Sequence, residues 1–200
     1  MDVYKLKGKC ESEAFRALLY TCCEYGDLFS LCYSDGFPPE MTHPLETVLK
    51  PYLIAQQKVN QWFGYYNVPG CPAAPLLTQH IFPAVPEAVD SIARYCKDIY
   101  FTSERADNQY KRPPFLYSDL CFFQNSRLLL GTVSHEGMAY IYPPDEEFLM
   151  DLLNAGRWVK ASSPPPQQLL ALTCTLRPEP LLRHTSSGLL VHIQAHPILD

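Results

Sequence analysis

The segment "LLLGTVSHEGMAYIYPP" (128–144) places His135 directly before Glu136. An imidazole beside a carboxylate is material for general acid–base catalysis, provided both groups aim at one substrate atom. Adjacent residues at the tip of a hairpin generally point in different directions. The nucleophile types near them in the sequence are Ser134 and the strand residue Cys121. His135 and Glu136 therefore have three readings: a solvated turn, contact residues presented to a partner, or an acid–base pair working with a neighbouring Cys or Ser. The turn is preferred, then the contact role, because rigid hairpins commonly present binding residues.

Other constellations invite chemistry and meet plainer explanations. His184, His192 and His196 suggest zinc, but they lie among β-like residues, where an i, i+4 pair is separated by about 13 Å. One ion cannot bridge that distance, so no metal site is assigned. Adjacent helical residues diverge by about 100°, which sends Cys22 to the core and leaves Cys23 at the boundary. Asp145, Glu146 and Glu147 fall where a helix begins, and the helix dipole accounts for three carboxylates there. No P-loop, Rossmann fingerprint, H-E-x-x-H, G-x-S-x-G or EF-hand pattern occurs, and no cofactor is expected. "QWFGYYNVPG" concentrates Trp62, Phe63, Tyr65 and Tyr66 ahead of a proline-rich loop. Such amphipathic aromatics are enriched at protein interfaces, although packing into the core accounts for them equally well.

Composition narrows the classes. The chain is 47% hydrophobic and 18% charged, too apolar for intrinsic disorder, and it carries a formal charge of −5. Its 16 Lys and Arg are scattered, so no nucleic-acid partner is expected. No apolar run reaches the roughly 18 residues that span a bilayer, so no membrane partner is expected either. "MDVYKLKGKC" has no apolar leader region, which predicts a cytoplasmic protein whose eight cysteines are reduced thiols.

The elements that must position these residues follow from hydrophobic period. "VYKLKGK" alternates as a half-buried strand. "ESEAFRALLYTCCEYGD" then spaces Phe15, Leu18, Leu19 and Cys22 helically up to Gly26, and "LFSLCY" returns to strand, giving a β-α-β opening. Thr42 suits an N-cap for "HPLETVLK", and Pro51 limits that helix. "YLIAQQKVNQWFGYY" reads as an extended strand entering a loop. Pro86 starts a helix with Val85, Val89, Ile92, Cys96 and Ile99 on one stripe. "DLCFF", "LLLGTVS" and "MAYIY" form a three-stranded meander, with "QNSR" as the first turn and Gly137 closing the second in a left-handed conformation. "PPDEEFLMDLLNAGRW" is a helix ended by Gly156. "ASSPPPQQ" (161–168) is a linker, and the apolar tail beyond it is expected to pack on the main body.

The order of "QWFG", a helix, "YSDLCFFQNSRLLLGTVSHEG" and an acidic helix start resembles a class of small cytosolic bacterial proteins, some of them suspected immunity proteins of polymorphic toxin systems. The likeness covers 59–153. It rests on Trp62 and Gly64, on Asp119-Leu120-Cys121-Phe122, and on Ser134-His135-Glu136. Phe63 stands where that class has a proline. The resemblance implies a non-catalytic protein that neutralises a partner by surface contact, and it transfers no catalytic residues.

The expected fold is α+β: a mostly antiparallel sheet containing the meander at about 119–142, with three or four helices on one face. The main domain is placed at 1–163 and a proline-led extension at 164–200. The expected function is protein–protein binding through Trp62, Phe63, Tyr65, Tyr66, His135 and Glu136, with a basic partner suited to the acidic chain. The alternatives are a small hydrolase or transferase using His135 with a nearby Cys or Ser, and a structural homo-oligomer subunit. Monomer and homodimer both remain open.

Overall fold

A computed structural model describes residues 2–33, 44–59, 77–101 and 117–165. The tail histidines, the proposed Thr42 cap and the aromatic cluster of Trp62, Phe63, Tyr65 and Tyr66 lie outside the described residues.

The elements run β1 (Tyr4–Leu6), α1 (Ser12–Tyr25), β2 (Leu28–Tyr33), α2 (Pro44–Leu49), β3 (Ala55–Val59), β4 (Leu77–Pro83), α3 (Pro86–Tyr95), β5 (Tyr117–Gln124), β6 (Arg127–Val133), β7 (Met138–Ile141), α4 (Glu146–Leu153) and β8 (Trp158–Lys160). The eight described strands form one sheet in the order β3-β4-β2-β5-β6-β7-β1-β8. Every described pairing is antiparallel. The fold is α+β, as the hydrophobic periods predict.

The four helices build one core with one face of the sheet. Phe15, Leu18, Leu19 and Cys22 of α1 and Ala88, Val89 and Ile92 of α3 bury against Phe29, Phe82, Phe122 and Leu130. Phe29 stacks on Phe82 with ring centroids 5.0 Å apart, a geometry that adds to the area those rings bury. Pro86 takes the first turn of α3, where its missing N–H costs nothing. Asp145 does more than complement the dipole of α4: its side chain caps the helix, accepting from Phe148 N at 2.8 Å.

Gly26 follows α1, and its nitrogen donates to Cys22 O. Its φ of −91° is open to any residue, so left-handed freedom is not the reason for glycine here. A Cβ would come within 2.6 Å of Cys22 O and 3.1 Å of Phe123 O, so the residue is small because helix and sheet backbones meet there.

The meander forms at 117–141, starting two residues earlier than the sequence suggests. Asn125 and Ser126 (φ 49° and 64°) make the tight β5–β6 turn, and Gly137 (φ 60°, ψ 36°) closes the β6–β7 connection in the left-handed region. Two strands escape a reading by period. β4 sits between proline-rich chain and a helix, and it carries Gln79 and His80 in its middle. β8 is only three residues long.

Candidate functional site

Between β6 and β7 the chain makes a single 3-10 turn, Ser134–Glu136. His135 and Glu136 occupy it with side chains 55% and 57% exposed and with Nε2 3.4 Å from Oε1. A contact so open to water contributes at most about 1 kcal/mol, even between fully charged partners. The pair sits at the tip of the hairpin rather than in a water-excluded pocket.

The base of this tip is tightly held. Asp119 is buried at the start of β5 with φ 55°. Its nitrogen donates to Ser134 Oγ at 2.9 Å, and its Oδ1 accepts from Ser134 N at 2.6 Å. Ser118 Oγ donates to Oδ2 at 3.1 Å. This reciprocal bracket closes the β5–β6 ladder where the strands diverge. A carboxylate suits the position because it accepts several hydrogen bonds at once, and Asp tolerates left-handed backbone better than most residues. Ser134, the hydroxyl nearest His135 in sequence, is thus one half of a structural bracket.

The thiols are equally committed to structure. None of the six described cysteines forms a disulfide, and Cys121 is fully buried within β5. Burial, reinforced by Asp98, pushes the Cys10 thiol up to about 12. Burial and the Asp90 carboxylate push Cys23 up to about 11. Burial raises Cys22, Cys32 and Cys96 well above the ordinary thiol range. Thiols held protonated at neutral pH are poor nucleophiles.

A second polar cluster, invisible to the sequence reading, gathers under the helices. Register places His80 of β4 beside Gln56 of β3 and Leu31 of β2. Its ring stacks on Tyr33 with centroids 4.7 Å apart and planes 9° from parallel. Nε2 lies 3.0 Å from Gln56 Nε2, and Nδ1 lies 3.0 Å from Tyr117 Oη. With the Gln56 amide donating, Nε2 is the acceptor and Nδ1–H donates to Tyr117. Tyr33 Oη donates to Glu46 Oε1 at 3.1 Å, while Glu46 Oε2 is buried with no hydrogen-bond partner. Burial, with Glu46 adding to it, raises the Tyr117 hydroxyl far above its ordinary value.

Both ring nitrogens of His80 are therefore engaged, and the ring ties its own strand to three others, β2, β3 and β5. Its members are numbered 33, 46, 56, 80 and 117, so no local motif could have announced them. The faint signal was a polar centre in an otherwise strand-like "LTQHIFP".

At the other end of β6 from the tip lies a cavity of about 870 Å³, bordered by Asp2, Arg127, Leu128, Tyr142, Pro164 and Pro165. At a rise of about 3.3 Å per residue, β6 holds this cavity roughly 20 Å from His135, so the two do not form one site. Among the described residues no group of three or more His, Cys, Asp or Glu is arranged to hold a metal ion. No described helix is long and apolar enough to cross a membrane.

The described part of the predicted site thus comprises His135 and Glu136 together at the tip. Family models, curated proteins and solved structures were each compared with this chain, and none matches it.

Proposed function

We infer that this protein is a non-catalytic protein-binding module of the immunity type, which neutralises a macromolecular partner by surface contact in a bacterial cytoplasm. The observation that carries this reading is the tip itself. An exposed imidazole and carboxylate stand on a turn whose base is fixed by the Asp119–Ser134 bracket. A rigid support lowers the conformational entropy lost when a partner docks. The commitment of the neighbouring serine and cysteine to structure favours contact over turnover.

The surface of α4 supports a basic partner. Asp145, Glu146, Glu147 and Asp151 are exposed there with no Lys or Arg in the helix. Met150, 63% exposed, and Leu153 supply apolar contact on the same element. Negative potential beside exposed methyl groups speeds encounter with a cationic protein and discriminates against acidic ones.

Affinity capture from a lysate of the source organism tests the reading, with the wild-type protein and the His135→Ala/Glu136→Ala variant as parallel baits. The expected result is a basic protein retained by the wild type and lost from a variant that is equally folded. Retention of the same protein by both baits would remove the tip from the interface. A turnover abolished by His135→Ala alone would establish an enzyme instead.

A further inference from the structure

The two faces of the sheet are buried by different means. All four helices contribute to the core around Phe29, Phe82 and Phe122. The opposite face carries Cys32, Ile81, Cys121, Phe123, Leu128 and Val133, all between 0% and 3% exposed. No residue of a described helix belongs to that second cluster, and its described rim consists of Val3, Leu28, Ala55, Met138 and Ala161. Side chains as large as Phe123, on the middle strands of a sheet, lose their last contact with water only beneath a second layer.

The path of the chain points to what supplies that layer. Beyond β8, Ala161 N donates to Val3 O at 2.8 Å, and Ala161 packs against this cluster. Tyr142, a member of the cluster, donates its hydroxyl to Pro165 O at 2.9 Å. Pro164 and Pro165 then border the cavity of about 870 Å³ together with Leu128 and Tyr142. The chain has turned onto this face where residue 166 begins.

The remaining sequence matches the face in chemistry and in reach. "LLALTCTL" (169–176) and "GLLVHIQA" (188–195) contain no Asp, Glu, Lys or Arg. Ser30, Gln57 and Gln79 on this face hydrogen-bond to one another, Gln79 Nε2 donating to Ser30 Oγ at 2.9 Å and Gln57 donating to Gln79. An eight-stranded sheet is about 34 Å across, a distance that roughly ten extended residues cover. Residues 166–200 can cross it more than once.

We propose that residues 166–200 dock, through these two apolar segments, on the face of the sheet that no described helix covers and form the layer that buries it. The protein then has three layers, with its own C-terminal segment as the third.

The cysteines make this testable in the full-length chain, because each face has its own. Cys32 and Cys121 report on the face opposite the described helices, and Cys22 and Cys96 on the helical one. Alkylation with N-ethylmaleimide, resolved peptide by peptide by mass spectrometry, is compared between wild type and Leu172→Asp/Val191→Asp. At least tenfold faster modification of Cys32 and Cys121, with Cys22 and Cys96 unchanged, is expected. Unchanged rates at Cys32 and Cys121 would overturn the proposal.

A second measurement covers a variant that unfolds and exposes all four thiols. Met138, on the rim of this face, is replaced by p-benzoylphenylalanine in the otherwise wild-type chain and irradiated. Cross-links to peptides from 166–200 are expected. Cross-links to 60–76, to 102–116 or to a second copy would assign the layer elsewhere.

Discussion

His80 has its two ring nitrogens 3.0 Å from side chains of two other strands and its face against Tyr33, whereas His135 stands in solvent beside its own sequence neighbour. The two imidazoles share a fold and differ in what organises them. Adjacency in sequence produced the pair that looked catalytic, and that pair is the looser one. Strand register produced the tighter constellation from residues far apart in the chain. Proximity along a chain is a weak guide to preorganisation, because a side chain becomes fixed by packing on several sides, which usually requires several elements.

The contrast is sharpest in stability. His80→Ala should destabilise the fold by about 3 kcal/mol, since it opens a cavity beside Tyr33 and strips partners from Gln56 and Tyr117. Urea unfolding measures this, and a loss below about 1 kcal/mol would mean the cluster is not the tie described. Asp119→Ala should cost about 2 kcal/mol by leaving Ser134 N unsatisfied and placing alanine at φ 55°. Asp119→Asn keeps an acceptor and tolerates that backbone, so most of the loss should return; equal losses in both variants would show that the bracket depends on charge.

Smaller effects test the tip. Gly137→Ala meets no atom within 4 Å, so its expected cost of about 1 kcal/mol is conformational and comes from the left-handed backbone. A thermal melt indistinguishable from wild type would show that the turn relaxes at no cost. His135→Ala/Glu136→Ala should shift stability by less than about 0.5 kcal/mol while reducing partner affinity at least tenfold in a titration. A stability loss approaching that of His80→Ala would erase the distinction between the two imidazoles.

The sequence was legible wherever one element carried its own signal. Helical spacing of Phe15, Leu18, Leu19 and Cys22 located α1, Pro86 marked the start of α3, and Gly137 announced the end of the tip turn. Cys22 is buried and Cys23 half-buried, as the divergence of neighbouring helical residues requires. What remained hidden depended on partners. β4 interrupts its apolar pattern with Gln79 and His80, which are tolerable in a core only because Ser30, Gln56 and Tyr117 arrive from other strands. Gly26 shows the same limit in a milder form. Its place marked the end of the helical spacing, but its size is set by the Cys22 carbonyl of its own helix together with a Phe123 carbonyl nearly a hundred residues away. The acid–base reading of His135 likewise turned on burial, a quantity that adjacency does not encode.

Among the described strands the sheet ends at β3 and β8, and both margins are poorly suited to recruiting another molecule. β8 offers three residues, and its terminal Lys160 is engaged by Asp2. β3 carries Gln56, Gln57 and Lys58 in succession, and each is hydrogen-bonded inward to β4. Short or polar borders deny an incoming backbone the long apolar ladder on which lateral polymerisation depends. Among the described strands, neither border therefore presents a ready template for lateral growth of the sheet.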